Sequence, residues 1–161
     1  SLVPAKPAQF ATVKNCNYLP NVMMKRESVD WGVDFVVGFD DNGFMTEGAT
    51  ENFGIVTSDG ELLFPRIDTV LEGTTMMRVA QLAQRLIDSG DLSAINFRDI
   101  TEKDVRTANE MLVVGTTINV ASCCEFEGAP VGDGKPGVVG TTLESLLKAD
   151  IASNLELRSA Y

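Results

Sequence analysis

Closely spaced turn signals divide the first half of this chain into short segments and limit what it can fold into. Asp41-Asn42-Gly43 and Ser58-Asp59-Gly60 each stand between two short apolar runs. An Asn-Gly pair in that position is typical of a tight β-hairpin, because both residues tolerate a positive φ. Strands are predicted at residues 34–39, 44–47, 53–57 and 62–64. The pattern therefore predicts a meander of short antiparallel strands.

Helical patterns lie on both sides of this meander. Helices are predicted at residues 19–31, 76–87 and 101–108, and from about residue 141 onward. Gly90 is placed to end the second helix, and Thr101 with Asp104 resembles a capping sequence for the third. Further strands are predicted at residues 94–97, 111–114 and 118–126. One mixed sheet flanked by helices, an α/β (α+β-like) fold, fits this order best.

Size and charge narrow the possible partners. The chain has 161 residues and a formal net charge of −10. That length suits one domain, and the negative charge argues against a nucleic-acid partner. No apolar run is long enough to span a bilayer and no secretory signal pattern is present, so no membrane partner is expected. Residues 1–9, which include Pro4 and Pro7, are predicted to be an extended lead-in or interdomain linker before a domain at residues 10–161.

The numbers of cysteines and histidines limit which catalytic and metal sites this chain can form. Cys16, Cys123 and Cys124 are odd in number and two are adjacent, which is not a disulfide framework. They favour a reducing compartment, either the cytoplasm or an organelle with a reducing interior. The chain contains no histidine, which excludes His-based triads and His-containing zinc sites. Any acid–base chemistry must then use Lys, Asp, Glu, Tyr or Cys, and no metal site is expected.

Lys14 stands where an extended run of residues 10–13 is predicted to end, just before a helix. Asn15 and Asn17 favour turns, and Pro20 can occupy the first turn of a helix at no cost. A lysine held there by a rigid element can act as a nucleophile if its amine is kept uncharged. The alternative is a solvated surface lysine.

Three further stretches have groups suited to chemistry, each with a structural alternative. Glu47 stands at a strand end beside a glycine, and its alternative is an exposed turn residue. Leu71-Glu72-Gly73-Thr74-Thr75 leads into a helix and suits a phosphate, with simple capping of that helix by Thr74 as the alternative. Val114-Gly115-Thr116-Thr117 is a second hydroxyl-rich stretch that suits a phosphate, here at a strand end, with an ordinary turn as the alternative. Together with Lys14 these groups suit pyridoxal phosphate, which presents an aldehyde, a ring nitrogen and a phosphate.

Five motifs occur in one order along the chain. They are Lys14-Asn15-Cys16-Asn17-Tyr18, Glu47-Gly48-Ala49-Thr50-Glu51-Asn52, Leu71-Glu72-Gly73-Thr74-Thr75-Met76-Met77-Arg78, Gly115-Thr116-Thr117 and Gly132-Asp133-Gly134-Lys135-Pro136-Gly137. This order resembles the class IV (fold-type IV) pyridoxal phosphate-dependent aminotransferases. That family includes branched-chain aminotransferases, D-amino acid aminotransferases and aminodeoxychorismate lyases. The resemblance runs from about Phe10 to the last helix.

The resemblance implies a role for each matching position. Lys14 matches the lysine that binds the cofactor covalently and moves the substrate proton. Tyr18 is similar to the tyrosine that bonds the cofactor's phenolic oxygen, and Glu47 matches the carboxylate that pairs with the pyridine nitrogen. The implied phosphate contacts are Thr74, Thr75, Thr116 and, as a less certain neighbour, Thr117.

A smaller domain precedes the lysine in this family and supplies a phosphate-binding arginine and much of the substrate pocket. The chain is therefore expected to be the large C-terminal domain of a homodimeric enzyme, with a mixed sheet that curls into a partial barrel. The implied activity is transfer of an amino group between a branched-chain or D-amino acid and a 2-oxo acid. The alternatives are a 4-amino-4-deoxychorismate lyase and a domain fragment without activity of its own.

Overall fold

A five-stranded mixed sheet lies at the centre of the computed structural model, which describes residues 1–154. The strands are β1 (Asn52–Val56), β2 (Glu61–Phe64), β3 (Ala94–Phe97), β4 (Glu110–Gly115) and β5 (Asn119–Cys123). Their order across the sheet is β3-β2-β1-β4-β5. The β2–β3 pair is parallel, and the other three pairs are antiparallel. A separate small sheet pairs β6 (Glu125–Phe126) with β7 (Ala129–Pro130).

Helices cover both faces of the five-stranded sheet. Within the described part of the chain they are α1 (Ala8–Ala11), α2 (Leu19–Trp31), α3 (Thr74–Ser89), α4 (Glu102–Arg106) and α5 (Val138–Ser153). Side chains of α3 and α5 share one hydrophobic cluster with one face of the sheet. Val105 of α4 belongs to a second cluster on the other face. The predicted mixed sheet with flanking helices is confirmed.

The strands contribute to both clusters because successive side chains of a strand point to opposite faces. On β4, Leu112 and Val114 belong to the α3–α5 cluster, whereas Met111 and Val113 belong to the cluster that contains Val105 of α4. All four β4 side chains are buried. Strands buried on both faces read as continuous apolar runs, which is why the sequence shows no alternation here.

The helix predictions are largely confirmed. Residues 19–31 form α2 as predicted, and α3 ends at Gly90, whose φ of 84° is the left-handed conformation that glycine favours. Thr101 and Asp104 form a reciprocal capping box at the start of α4. In this box the Thr101 hydroxyl accepts the Asp104 N–H, and the Asp104 side chain accepts the Thr101 N–H at 2.8 Å.

The predicted strands at residues 34–39 and 44–47 are wrong as strands, although the turn between them is present. Only isolated bridges form in this segment of the described chain, one of them between Phe39 and Met45. The Thr46 N–H still donates across the hairpin to the Gly38 carbonyl at 2.8 Å. The Met45 N–H instead donates to the Ile100 carbonyl at 2.7 Å, outside the hairpin. The Gly38 N–H donates to the Glu47 carbonyl at 3.1 Å, so Thr46 and Glu47 both oppose Gly38 as in a β-bulge, and this irregularity interrupts the ladder.

The predicted extended run at residues 10–13 is also wrong. The N–H groups of Phe10 and Ala11 both donate to the Pro7 carbonyl, so a short helix begins at Ala8. Proline suits this position because its fixed φ is compatible with a helix start. Lys14 therefore lies in the connection between α1 and α2, before a helix as predicted but not after a strand.

The predicted single strand at residues 118–126 is divided. β5 ends at Cys123, and the chain then turns into β6. The Val131 N–H donates to the Cys124 carbonyl at 3.0 Å, so residue 124 pairs away from the main sheet.

Candidate functional site

One cleft brings together the lysine, the tyrosine and the glutamate that the sequence singled out. We call it the Lys14 cleft. Its polar lining consists of Lys6, Lys14, Tyr18, Glu47 and Glu51, with Asn15, Asn17, Asn21, Thr50 and Asn52 beside them. The cavity volume of the cleft is about 50 Å³, and the cleft is open to solvent on one side. Residues far apart in the sequence therefore meet in one open depression.

Glu47 is the buried anion of the Lys14 cleft. It is 9% exposed, and each carboxylate oxygen has a donor. Oε1 lies 2.6 Å from Nζ of Lys6, and Oε2 accepts the Leu71 N–H at 3.0 Å. Burial of a carboxylate is tolerated when a cation and an N–H group replace the lost water. The alternative of an exposed turn residue is therefore wrong for Glu47.

Lys14 and Tyr18 form the outer wall of the cleft. Both are exposed, Tyr18 by 41%. The connection that carries them is held by Asn15, whose Oδ1 accepts the Asn17 N–H at 2.9 Å and whose amide donates to the Val13 carbonyl at 2.8 Å. These bonds are the local turn that asparagine was predicted to make. The structure thus places an exposed lysine in the same cleft as a buried carboxylate.

Asn52 links the floor of the cleft to the start of α3. Its amide donates to the Leu71 carbonyl at 3.0 Å. A Cβ on Gly73 would overlap Oδ1 of Asn52, so only glycine allows the chain to approach this closely. Gly73 is the N-cap residue, and no side chain caps the N–H groups that follow it. Capping by Thr74 is therefore wrong, since Thr74 is already the first residue of the helix.

The four threonines lie beside the cleft and not in its lining. Thr74 is exposed and Thr75 is half-buried in the first turn of α3. Thr116 and Thr117 are exposed in the turn between β4 and β5. Because β1 pairs with β4 from its first residue, this turn and the start of α3 flank the same end of β1. The structure brings together the lysine, the tyrosine and the glutamate, and it leaves the four threonines at the rim.

Two charged residues that line the cleft were not predicted as site residues from the sequence. Lys6 falls in the segment predicted to be a simple lead-in, and no spacing pattern marks it. Glu51 is buried; its carboxylate accepts the Thr50 N–H at 2.9 Å and the Thr50 hydroxyl at 2.8 Å. Its position in the same motif as Glu47 was the available signal.

Two other kinds of feature are absent from residues 1–154. Among these residues, no group of three or more His, Cys, Asp or Glu side chains is placed to hold a metal ion. Nor does this part of the chain contain a helix with the length and apolar character needed to cross a membrane.

Comparison with known proteins gives one family. The family model described as amino-transferase class IV matches residues 2–126. The chloroplastic D-amino-acid transaminase of Arabidopsis thaliana is 36% identical over 154 residues, which is 95% of this chain and 41% of that protein. The D-alanine aminotransferase of Bacillus licheniformis is 25% identical over 143 residues, which is 88% of this chain and 48% of that protein.

A solved structure agrees with this match. It is a branched-chain amino acid aminotransferase from T.th., solved with pyridoxamine 5'-phosphate, with a TM-score of 0.85 and 27% sequence identity. The alignment covers 97% of this chain and 51% of that one. This chain therefore spans about half the length of the proteins that it matches.

Proposed function

We propose that this chain, which belongs to the amino-transferase class IV family, binds pyridoxal phosphate and forms part of an enzyme that transfers an amino group from an amino acid to a 2-oxo acid. The observation that carries this proposal is the pairing of an exposed lysine amine with a buried carboxylate in one cleft. A cofactor with an aldehyde and a basic ring nitrogen needs these two groups.

The residues present fit the cofactor in chemical type. Lys14 offers an amine to the aldehyde, Tyr18 a phenol to the phenolic oxygen, and Glu47 a carboxylate to the ring nitrogen. The first turn of α3 offers N–H groups without a side-chain cap, a favourable setting for a phosphate. The cavity volume of about 50 Å³ is small for such a molecule, so binding would use the side of the cleft that is open to solvent.

Each residue has a distinct task in the proposed reaction. When bound, pyridoxal phosphate supplies an electron-accepting ring. Lys14 would hold the cofactor, and its amine would take the proton from the substrate Cα. Glu47 keeps a proton at the ring nitrogen, and its burial makes that electrostatic interaction stronger than it is in water. Tyr18 orients the phenolic edge of the ring. The threonines Thr74, Thr75, Thr116 and Thr117 hold the phosphate.

The proposed substrate is a D-amino acid or a branched-chain amino acid, with a 2-oxo acid as acceptor. The 36% identity to a D-amino-acid transaminase supports the first class, and the fold likeness to a branched-chain amino acid aminotransferase supports the second. None of the three proteins described above is named a lyase. Transamination is therefore the proposal that we retain.

We also propose that a preceding domain and a second copy of the chain complete the enzyme. Support comes from large apolar side chains that face solvent on and around α2. They include Phe10, Val13, Leu19, Val22, Val29 and Trp31. Apolar surface of this extent marks an interaction site. The free cysteines Cys16, Cys123 and Cys124 suit a reducing compartment, which we propose as the location.

Peptide mapping after borohydride reduction tests the proposed function. The full-length protein is incubated with pyridoxal phosphate, reduced, digested and analysed by mass spectrometry. We expect the label on Lys14 and its loss in Lys14→Ala, with labelling unchanged in the matched control Lys135→Ala, because Lys135 lies outside the cleft. Label on another lysine, with Lys14 unmodified, would contradict the proposal.

A further inference from the structure

We infer that Lys6 is a positioning residue, which holds the Glu47 carboxylate in place by direct ionic contact and thereby favours the proton on the ring nitrogen of the cofactor. This inference rests on the proposed function. It gives a role to a residue that lies outside all five sequence motifs. It concerns the electronic state of the bound ring and not the attachment at Lys14.

The first observation is the contact itself. Nζ of Lys6 lies 2.6 Å from Oε1 of Glu47, and the two side chains are only 19% and 11% exposed. An ion pair so far removed from water is screened much less than a surface pair. Lys6 is therefore placed to stabilise the negative charge of the Glu47 carboxylate by direct contact.

Lys6 and Glu47 also form part of the wall between two neighbouring cavities. Lys6, Ala11 and Glu47 line the Lys14 cleft and also a smaller neighbouring cavity, which Val3 and Met24 line as well. The Lys6 side chain is therefore packed within the fold where it contacts Glu47, and it is not a solvated surface side chain.

The backbone that carries Lys6 is tied on both sides. Ahead of it, the Leu2 N–H donates to Oε1 of Glu27 on α2 at 3.0 Å. Behind it, the Pro7 carbonyl accepts the first bonds of α1. The prolines on either side of Lys6, Pro4 and Pro7, limit φ. The ammonium group is thus held in place before any ligand arrives.

The two partners of Glu47 do not use its full hydrogen-bonding capacity. A carboxylate has about four lone-pair positions, and Lys6 and the Leu71 N–H use one on each oxygen. A ring N–H can therefore bind as a third donor. The proton in that hydrogen bond belongs either to the ring or to the carboxylate. The Lys6 charge lies against the carboxylate, so it stabilises the negative carboxylate and leaves the proton on the ring.

The experiment removes the Lys6 charge while keeping a hydrogen-bond donor. Lys6→Gln is loaded with pyridoxal phosphate that carries nitrogen-15 in the ring, in the full-length protein, and the ring resonance is measured. We expect it to move toward the position of an unprotonated pyridine. We also expect kcat to fall about tenfold, the equivalent of one unit in a protonation equilibrium, with little change in KM.

Three variants separate a charge effect from a structural one. Lys6→Arg keeps the charge, so its ring resonance should stay near that of the wild type. Lys25→Gln is the matched control, because Lys25 is exposed on α2, and it should change neither the resonance nor kcat. Lys6→Met provides a second removal of charge if Lys6→Gln folds poorly. A purely structural role would lower stability and leave the resonance unmoved.

The unloaded protein supplies a readout that does not need the cofactor. Unfolding free energies of Lys6→Gln, Glu47→Gln and the double variant form a cycle, and we expect the two changes to be non-additive. Additive changes would overturn the inferred pairing. Failure of the wild type to take cofactor at Lys14 would reject the proposed function alone. A wild-type resonance and kcat in Lys6→Gln labelled at Lys14 would reject the Lys6 inference alone.

Discussion

Helices α3 and α2 differ in the burial of their apolar side chains. On α3, Met76, Val79, Leu82, Ala83 and Leu86 are buried against the sheet and α5. On α2, only Met24 and Ser28 are buried, while Leu19, Val22, Met23, Val29 and Trp31 face solvent. The hydrophobic cluster that includes Met24 is small, with Val3, Val36 and Ala49 as its other members.

Because of this difference, one wall of the Lys14 cleft is buried and the other is exposed. Glu47 and Asn52 are buried beside the sheet, whereas Lys14 and Tyr18 stand on the connection into α2. A side chain in a packed core is held by many contacts, and one on an exposed connection by few. The Glu47 carboxylate is therefore held in one place, whereas the Lys14 amine is freer to move, as the role proposed for it requires. Three predictions test this contrast, in decreasing order of effect.

The same substitution in the two regions should have very different effects on stability. Leu143 is fully buried on α5, and Leu19 is 64% exposed on α2. Leu143→Ala should lower the free energy of unfolding by about 2–5 kcal/mol, because it leaves a cavity. Leu19→Ala should change it by less than about 0.5 kcal/mol. Urea unfolding of both variants measures this, and equal losses would show that α2 is as well packed as α5.

The carboxylate of Glu110 on β4 should stabilise the packed region by capping the start of α5. Oε1 of Glu110 accepts the Val139 N–H at 2.9 Å and Oε2 accepts the Gly140 N–H at 2.8 Å, at the start of α5. Glu110→Ala removes this cap and should lower the free energy of unfolding by about 1–2 kcal/mol. Glu125→Ala, at an exposed position on β6, is the matched control. No difference between the two variants would refute a capping role for Glu110.

The ion pair between α3 and α5 should give the smallest effect, and one that depends on pH. Nε of Arg78 donates to Asp150 at 2.8 Å, and this bond chiefly lowers the pKa of Asp150 from 3.8 to about 2. A depressed carboxyl pKa stabilises the fold at pH values above the unfolded-state pKa. That stabilisation is lost as the pH falls through about 2.

Asp150→Asn should therefore lower the unfolding midpoint at neutral pH, by less as the pH drops from 4 toward 2. Urea titrations over this pH range measure the difference between variant and wild type. Asp88→Asn, at an exposed position on α3, is the control. A difference that persists unchanged at the lowest pH would mean that the charge of Asp150 is not responsible.

Much of the fold was predictable because local signals were strong. The apolar stripe of α3, the glycine that ends it and the capping box of α4 each specify their element from nearby residues alone. The grouping of Lys14, Tyr18 and Glu47 in one cleft was also expected from the motifs, although their chemical roles stay predictions. Residues 34–39 were mispredicted because a Val-rich and Phe-rich run indicates burial, and burial does not require a strand partner.

The sequence by itself determined the bounds of α2, the end of α3 and the start of α4, and it marked the apolar runs of β1, β2, β3 and β4, because those features depend on neighbours in the chain. Only the tertiary structure decided that Met45 bonds to Ile100, that α1 replaces an extended run and that Lys6 meets Glu47. Lys6 and Glu47 are 41 positions apart, and no local pattern couples them. Such a contact arises when the chain folds back on itself, because a buried carboxylate needs a partner and its neighbours in sequence do not supply one.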